Sequence, residues 1–96
     1  MTDRTARARR PPLTLIANSQ EWHSRSFESI LGPYGYAVLR AYTGKQAIER
    51  ARSSRPDLII LDTDLPDRDG FDVCRELRSD SIISPATPIL MTSPGH

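Results

Sequence analysis

The chain has 96 residues, of which 38% are hydrophobic and 26% are charged, and its formal net charge is +1. This length favours one compact domain, and the near-neutral charge argues against a protein that coats nucleic acid. A single cysteine, Cys74, excludes an intramolecular disulfide framework, and the longest aliphatic run, Leu58 to Leu61, is far too short to span a bilayer, so we expect a cytoplasmic domain with no membrane segment.

The first twelve residues show no apolar periodicity. Four arginines precede a pair of prolines in this segment: Arg4, Arg7, Arg9, Arg10, Pro11 and Pro12. A segment with several like charges and no apolar face is typical of a solvated arm. We therefore expect residues 1–12 to form a flexible basic N-terminal arm and residues 13–96 to form the folded domain.

The first strand and helix are predicted directly after this arm. Leu13 to Ala17 is a short apolar run that predicts a strand. Asn18 and Ser19 follow it, and both residue types favour the N-cap of a helix. Residues 20–31 then predict a helix that ends before a Gly-Pro pair. Its apolar positions at helical spacing are Phe27, Ile30 and Leu31.

A second strand and helix follow the Gly-containing turn. Tyr36 to Leu39 predicts the strand. Thr43, with Gln46 three residues later, forms a capping-box pattern that opens the helix, and the helix must end before Pro56. The predicted inner face of this helix consists of Ala47, Ile48 and Ala51.

The third unit begins with Leu58 to Leu61, a continuous aliphatic run typical of a buried parallel strand. It ends at Asp62, and a loop from residue 63 leads to Asp69, which is suited to cap a third helix. Pro88 to Met91 predicts a fourth strand. The inward positions of the third helix are Val73, Cys74 and Leu77.

Strands and helices therefore alternate in the order β-α-β-α-β-α-β. Such alternation implies crossover connections and a parallel sheet covered on both faces, so the predicted fold class is α/β with a doubly wound parallel sheet. Ligands of such sheets bind at the carboxyl ends of the strands. The polar residues that fall at these ends are Asn18, Asp62, Thr92 and Ser93.

The segment from Pro56 to Phe71 closely resembles the receiver domain of two-component response regulators. Its two parts read Pro-Asp-Leu-Ile-Ile-Leu-Asp and Leu-Pro-Asp-Arg-Asp-Gly-Phe. They match the family's hydrophobic strand with its phospho-accepting Asp, its Leu-Pro turn and the Asp-Gly-Phe that opens its third helix. The resemblance covers residues 13–93 more weakly, and it implies the flavodoxin-like receiver fold.

The resemblance also implies a phosphorylation site. Asp62 is its phosphoacceptor, and Mg²⁺ would be shared between this carboxylate and the backbone carbonyl of Asp64, because phosphoryl transfer to a carboxylate needs charge neutralisation. The family's switch hydroxyl is Thr92 or Ser93. Counting from the proline that precedes the fourth strand favours Ser93, whereas ending that strand at Met91 favours Thr92.

Two parts of the family pattern are missing from this sequence. Receivers carry an acidic pair after the first strand, where this chain has Ala17 and Asn18. Asn18 offers a neutral oxygen, a weaker Mg²⁺ ligand than a carboxylate. The last helix-strand-helix unit, with its pocket lysine, is also lacking. We therefore expect an incomplete receiver fold with an open edge at the fourth strand, a truncated piece of a longer regulator or a homodimer, and weakened metal-dependent phosphorylation.

Two functions follow from the resemblance. In the first, Asp62 accepts a phosphoryl group from a sensor histidine kinase in a bacterial phosphorelay. In the alternative, the chain is a pseudo-receiver that binds another signalling protein whether or not it is phosphorylated. We expect no enzyme activity, because no second acid or base falls near Asp62, and we expect contact with nucleic acid only through a domain beyond this chain.

Overall fold

The computed structural model of the chain describes residues 10–93. Within that range, β-strands and α-helices alternate as the sequence predicts. The strands are β1 (Leu13–Ala17), β2 (Ala37–Ala41), β3 (Leu58–Asp62) and β4 (Ile89–Thr92). The helices are α1 (Glu21–Leu31), α2 (Gly44–Ser54) and α3 (Gly70–Ser79), and a 3₁₀ turn (Gly32–Tyr34) follows α1.

The strands form one parallel sheet in the order β2-β1-β3-β4. This arrangement confirms the predicted α/β class with a doubly wound parallel sheet. The register brings the carboxyl ends of β1, β3 and β4 side by side. Ala17 at the end of β1 pairs with Leu61, and Asp62 at the end of β3 pairs with Thr92 at the end of β4. In the described residues, β4 is an edge strand that pairs only with β3.

The hydrophobic core lies between the sheet and the helices α2 and α3. Alternate residues of each strand face this core, because side chains point to opposite faces along a strand. Burying one such side chain stabilises the fold by roughly 1.5–3 kcal/mol. The large residues with no exposed surface in this cluster are Leu15, Ile59, Leu61, Val73 and Leu77. The inner residues predicted for α2, which are Ala47, Ile48 and Ala51, are also buried.

Helix α1 covers the opposite face of the sheet, against β1 and β2. Ser24 is its buried residue, whereas Ile30 is 61% exposed. The predicted apolar face of Phe27, Ile30 and Leu31 is therefore only partly correct. Ile30 lies away from the sheet because the face that contacts β1 is centred on Ser24.

Two of the predicted helix starts are confirmed by side-chain caps. The Thr43 hydroxyl accepts a hydrogen bond from the Gln46 amide at 3.1 Å. The Asp69 carboxylate accepts one from the Phe71 amide at 2.7 Å. Each cap satisfies an amide that has no partner within its own helix.

The predicted cap of α1 is wrong. Neither Asn18 nor Ser19 occupies the N-cap, which is Gln20 with no side-chain hydrogen bond. The Asn18 Oδ1 instead accepts a hydrogen bond from the Gln20 amide at 2.8 Å. Asparagine closes such a turn readily with its own backbone two residues on, so Asn18 turns the chain before the helix begins.

Two strand boundaries also differ from the prediction. Strand β2 begins one residue later than Tyr36 and continues to Ala41, and β4 begins after Pro88 and extends through Thr92. In the predicted N-terminal arm, residues 1–9 lie outside the described residues. Pro12 already belongs to the fold, because its carbonyl accepts a hydrogen bond from the Ala37 amide at 2.8 Å. No helix within residues 10–93 combines the length and the apolar composition needed to cross a membrane.

Candidate functional site

Asp62 is the last residue of β3 and only 4% of its surface is exposed. Burial raises the pKa of its carboxyl group, because a charged carboxylate loses hydration there. The backbone amides of Asp64 and Thr63 act in the opposite direction and lower this pKa. The site therefore presents a buried carboxylate with two backbone donors beside it.

The end of β1 lies next to this carboxylate. Ala17 is paired with Leu61, so the next residue, Asn18, lies beside Asp62 at the carboxyl edge of the sheet. Asn18 is 3% exposed, and its backbone amide donates to the Ala41 carbonyl at 3.0 Å. Its side-chain oxygen already accepts the Gln20 amide but retains a second lone pair.

The end of β4 lies on the other side of Asp62. Thr92 is its register partner, and the Thr63 amide donates to the Thr92 carbonyl at 2.7 Å. The Thr92 Oγ1 is buried and has no hydrogen-bond partner among the described residues. Ser93 follows the strand and is exposed. The strand thus ends at Thr92, one residue beyond the predicted end at Met91.

The loop that follows Asp62 folds back onto the strand end. Asp64 is exposed and forms an antiparallel bridge with Asp69, and the Gly70 amide donates to the Thr63 carbonyl at 2.9 Å. A Cβ atom added to Gly70 would lie 2.1 Å from the Asp62 carbonyl oxygen. Glycine is therefore required at position 70 for the loop to approach the strand this closely.

Two further residues, one on α1 and one in the loop after Asp62, were not identified as functional from the sequence. His23, in the first turn of α1, lowers the pKa of Asp62 through its charge. Its position in the first turn of the helix that follows β1 is the sequence signal that could have placed it near the carboxyl edge of the sheet. Asp67 accepts hydrogen bonds from the backbone amides of Gly44 and Lys45, contacts that no local sequence pattern indicates.

The oxygen donors near this edge are of the chemical type that Mg²⁺ takes. No group of three or more histidine, cysteine, aspartate and glutamate side chains within residues 10–93 could hold a metal ion. The available donors are the Asp62 carboxylate, the Asn18 amide oxygen and the backbone carbonyl expected from Asp64. Protein-bound Mg²⁺ commonly combines one or two carboxylates with phosphate oxygens and several waters, so this set needs a phosphoryl group to complete it.

The family model of the response regulator receiver domain matches residues 14–96 of the chain. Among curated proteins, the polar-differentiation response regulator DivK of Brucella anthropi is 30% identical over 83 residues, which are 86% of this chain and 68% of that protein. The alkaline phosphatase synthesis transcriptional regulatory protein PhoP of Bacillus subtilis is 43% identical over 51 residues, which are 53% of this chain but only 21% of that protein.

A solved structure shows the same fold. The chemotaxis response regulator CheY4 of Vibrio cholerae superposes with a TM-score of 0.79 at 30% sequence identity, covering 84% of this chain and 67% of that one. The chain thus spans about two thirds of the solved chain it matches and about a fifth of PhoP. The similarity therefore concerns the domain rather than the longer regulators as whole proteins.

Proposed function

Because this chain belongs to the response regulator receiver domain family, we propose that Asp62 is its phosphoacceptor in two-component signalling. The position of Asp62 carries the proposal. Its carboxylate is buried at the end of β3, between the ends of β1 and β4, with the backbone amides of Thr63 and Asp64 beside it. Such fixed donors stabilise charge that develops during group transfer.

The phosphoryl donor would be a phosphohistidine of a sensor histidine kinase. A carboxylate oxygen of Asp62 forms a bond to phosphorus while the phosphorus–nitrogen bond breaks. The bonding electron pair remains on the imidazole, which takes up a proton. In this role the phosphorylated carboxylate is the signal, so we propose that the chain acts as a signalling module rather than as an enzyme.

Mg²⁺ would be held by the Asp62 carboxylate, the Asp64 carbonyl and the Asn18 amide oxygen. When bound, it supplies neutralisation of the phosphoryl charge. The chain contributes one carboxylate to it, because Ala17 has no donor and Asn18 is neutral. We therefore expect phosphorylation to need more Mg²⁺ than it would with an acidic pair at these two positions.

A hydroxyl at the end of β4 would respond to the phosphoryl group. The register with Asp62 and the unpartnered Oγ1 support Thr92, whereas Ser93 is the first residue after the strand. Thr92→Ala and Ser93→Ala variants separate the two. Loss of the phosphorylation-dependent change in backbone amide shifts around β4 should occur in only one of them.

Other properties of the family are proposals of the same kind. We propose that the chain acts in the cytoplasm, that it associates with a second copy, and that DNA is bound only by another domain. The name of PhoP describes a transcriptional regulator, but the shared region is only about a fifth of that protein, so this activity is not carried over to the present chain.

The neutral pair Ala17 and Asn18 favours a second candidate function. A pseudo-receiver would use the same surface to bind a protein partner without phosphorylation. The two functions differ in one observable property, since only the first requires the carboxylate of Asp62 to be reactive.

Intact mass after incubation with acetyl phosphate and Mg²⁺ tests the first function. A folded sample should gain the mass of one phosphoryl group, and Asp62→Asn should gain none. Asp72→Asn is the matched control, because it removes the same charge from an exposed position on α3. A folded wild-type sample with no adduct would contradict the first function and favour the pseudo-receiver, for which a protein partner would then be sought.

A further inference from the structure

Asp67 joins two parts of the molecule that are far apart in the sequence. Its Oδ1 accepts a hydrogen bond from the Gly44 amide at 2.7 Å, and its Oδ2 accepts one from the Lys45 amide at 3.0 Å. Gly44 and Lys45 are the first two residues of α2. A carboxylate of the loop after β3 therefore caps the N-terminus of a neighbouring helix.

This contact is favourable in charge as well as in hydrogen bonding. The first amides of a helix have no partner within it and carry its positive dipole end. The bond from Gly44 is the main reason why the pKa of Asp67 lies below its ordinary value. The carboxylate therefore stays ionised and bound at neutral pH.

Gly44 lets the two segments approach each other. A Cβ atom at this position would lie 2.8 Å from Val73 Cγ2 and 3.3 Å from Asp67 Oδ1. The space beside Gly44 is thus already filled by Val73 of α3 and by the Asp67 carboxylate. A larger residue at position 44 would clash with Val73 first and would also crowd the carboxylate.

The loop held by this contact supplies two of the groups beside the proposed phosphoacceptor. It begins directly after Asp62 with Thr63 and Asp64, whose backbone amides lower the pKa of Asp62. Leu65 fixes one side of the loop in the core, where it is 5% exposed. The acidic contact to α2 fixes the other side, three residues after Asp64.

We propose that Asp67 is a positioning residue for phosphoryl transfer, which acts by binding the N-terminus of α2 and so holding Thr63 and Asp64 beside the carboxylate of Asp62. This inference rests on the proposed function of Asp62. It adds a residue that does not touch the reacting atoms but determines how firmly their neighbours are held.

The experiment compares Asp67→Ala with Thr43→Ala. Asp67→Ala removes two oxygens that cap the N-terminus of α2, and Thr43→Ala removes one. The Thr43 hydroxyl accepts its hydrogen bond from Gln46 of the same helix, so this bond does not join the helix to the loop. We expect Asp67→Ala to lower the maximal rate of phosphorylation by acetyl phosphate about tenfold, because small displacements of groups around a reacting atom cost up to roughly a hundredfold. Thr43→Ala should retain the wild-type rate.

A second measurement follows the loop itself. Amide hydrogen exchange of residues 63–70 should be faster in Asp67→Ala than in Thr43→Ala. Asp67→Asn retains one acceptor oxygen, so its exchange and its phosphorylation rate should both lie between those of Asp67→Ala and the wild type. Equal rates in Asp67→Ala and Thr43→Ala would reduce Asp67 to a stabilising cap and overturn the proposal.

The two measurements also separate this inference from the proposed function. If the wild type forms an adduct and Asp67→Ala forms it equally fast, the positioning role is wrong and the phosphoacceptor stands. If the wild type forms no adduct, the proposed function fails and the positioning role for phosphoryl transfer fails with it. Unchanged exchange of residues 63–70 in Asp67→Ala would overturn the role whether or not Asp62 is phosphorylated.

Discussion

Asp62 is buried as a charged group, and its raised pKa has a consequence for stability. The unfolded chain ionises this carboxyl at a lower pH than the folded chain does. The protonated carboxyl therefore contributes to the free energy of unfolding. This contribution is fully present below the pKa of the unfolded state and is lost as the pH rises through the raised pKa of the folded state. At neutral pH the buried carboxylate of Asp62 therefore weakens the fold.

Asp62→Asn should therefore be more stable than the wild type at neutral pH. The amide has a similar shape and carries no charge, so we expect the free energy of unfolding to rise by about 0.5–2 kcal/mol at about pH 7, the size usual for a stabilising substitution. The gain should disappear at about pH 3, where the wild-type carboxyl is protonated in both states. Urea unfolding at both pH values measures it, and an equal gain at both would contradict the linkage.

Gly70 offers a second test at the level of one residue. In Gly70→Ala the new Cβ would meet the Asp62 carbonyl at 2.1 Å, so backbone must move, and we expect a loss of about 3 kcal/mol, the upper end for overpacking. Gly32→Ala is the control, because nothing lies within 4 Å of its added Cβ and its φ of −53° is helical. That variant should gain about 0.5–1 kcal/mol. Similar thermal midpoints for the two variants would contradict the close approach.

At the scale of the elements, helix caps differ in how much they contribute to the free energy of unfolding. Thr43→Ala removes the hydrogen bond from the Gln46 amide, and we expect it to lower the free energy of unfolding by about 1 kcal/mol. Gln20 occupies the N-cap of α1 with no side-chain hydrogen bond, so Gln20→Ala should change the free energy of unfolding by less than about 0.5 kcal/mol. Chemical denaturation of both variants checks the contrast, which fails if the two losses are equal.

The elements that could be predicted from the sequence are those whose signal is local. Thr43 and Asp69 cap the helices that their residue types indicate, and the aliphatic run after Asp57 forms the buried strand. Strand β2 extends further than predicted because Arg40 and Ala41 also pair with β1. The Arg40 side chain binds Glu28 of α1, a partner that lies twelve residues away. A charged residue in a strand is only explained once its distant partner is known.

The candidate site shows the same division. The sequence pattern places Asp62, Asn18 and Thr92 at neighbouring strand ends, and the structure brings them together. The contact of Asp67 with Gly44 spans 23 residues and depends on how α2 and α3 pack. Such a contact has no periodicity that a sequence pattern could show.

At the scale of the whole molecule, the two edges of the sheet differ. Charged side chains lie beside strand β2. The Arg40 side chain binds Glu28, and the Arg40 carbonyl accepts a hydrogen bond from Arg50. In the described residues β4 pairs only with β3, and Leu90 on it is 53% exposed. An uncovered edge beside an exposed apolar side chain favours pairing with another chain.

We therefore expect the chain to self-associate as its concentration rises. Leu90→Lys should weaken this association at least about tenfold, because burial of a leucine contributes more than the roughly 1.4 kcal/mol that a tenfold change requires. Phe71→Lys is the control, since Phe71 is 52% exposed but belongs to α3 on the opposite face of the sheet. Sedimentation velocity over a concentration series measures both, and equal effects of the two variants would exclude the β4 edge.

The central position of β1 also determines the order in which the sheet can assemble during synthesis. Strand β1 pairs with β2 and β3, and β3 leaves the ribosome only after α1, β2 and α2 have been made. Until then the nascent chain has a two-stranded unit, and isolated two-stranded units are marginally stable at best. Residues 58–62, which end at Asp62, are therefore also the segment whose emergence lets the sheet grow beyond this two-stranded unit.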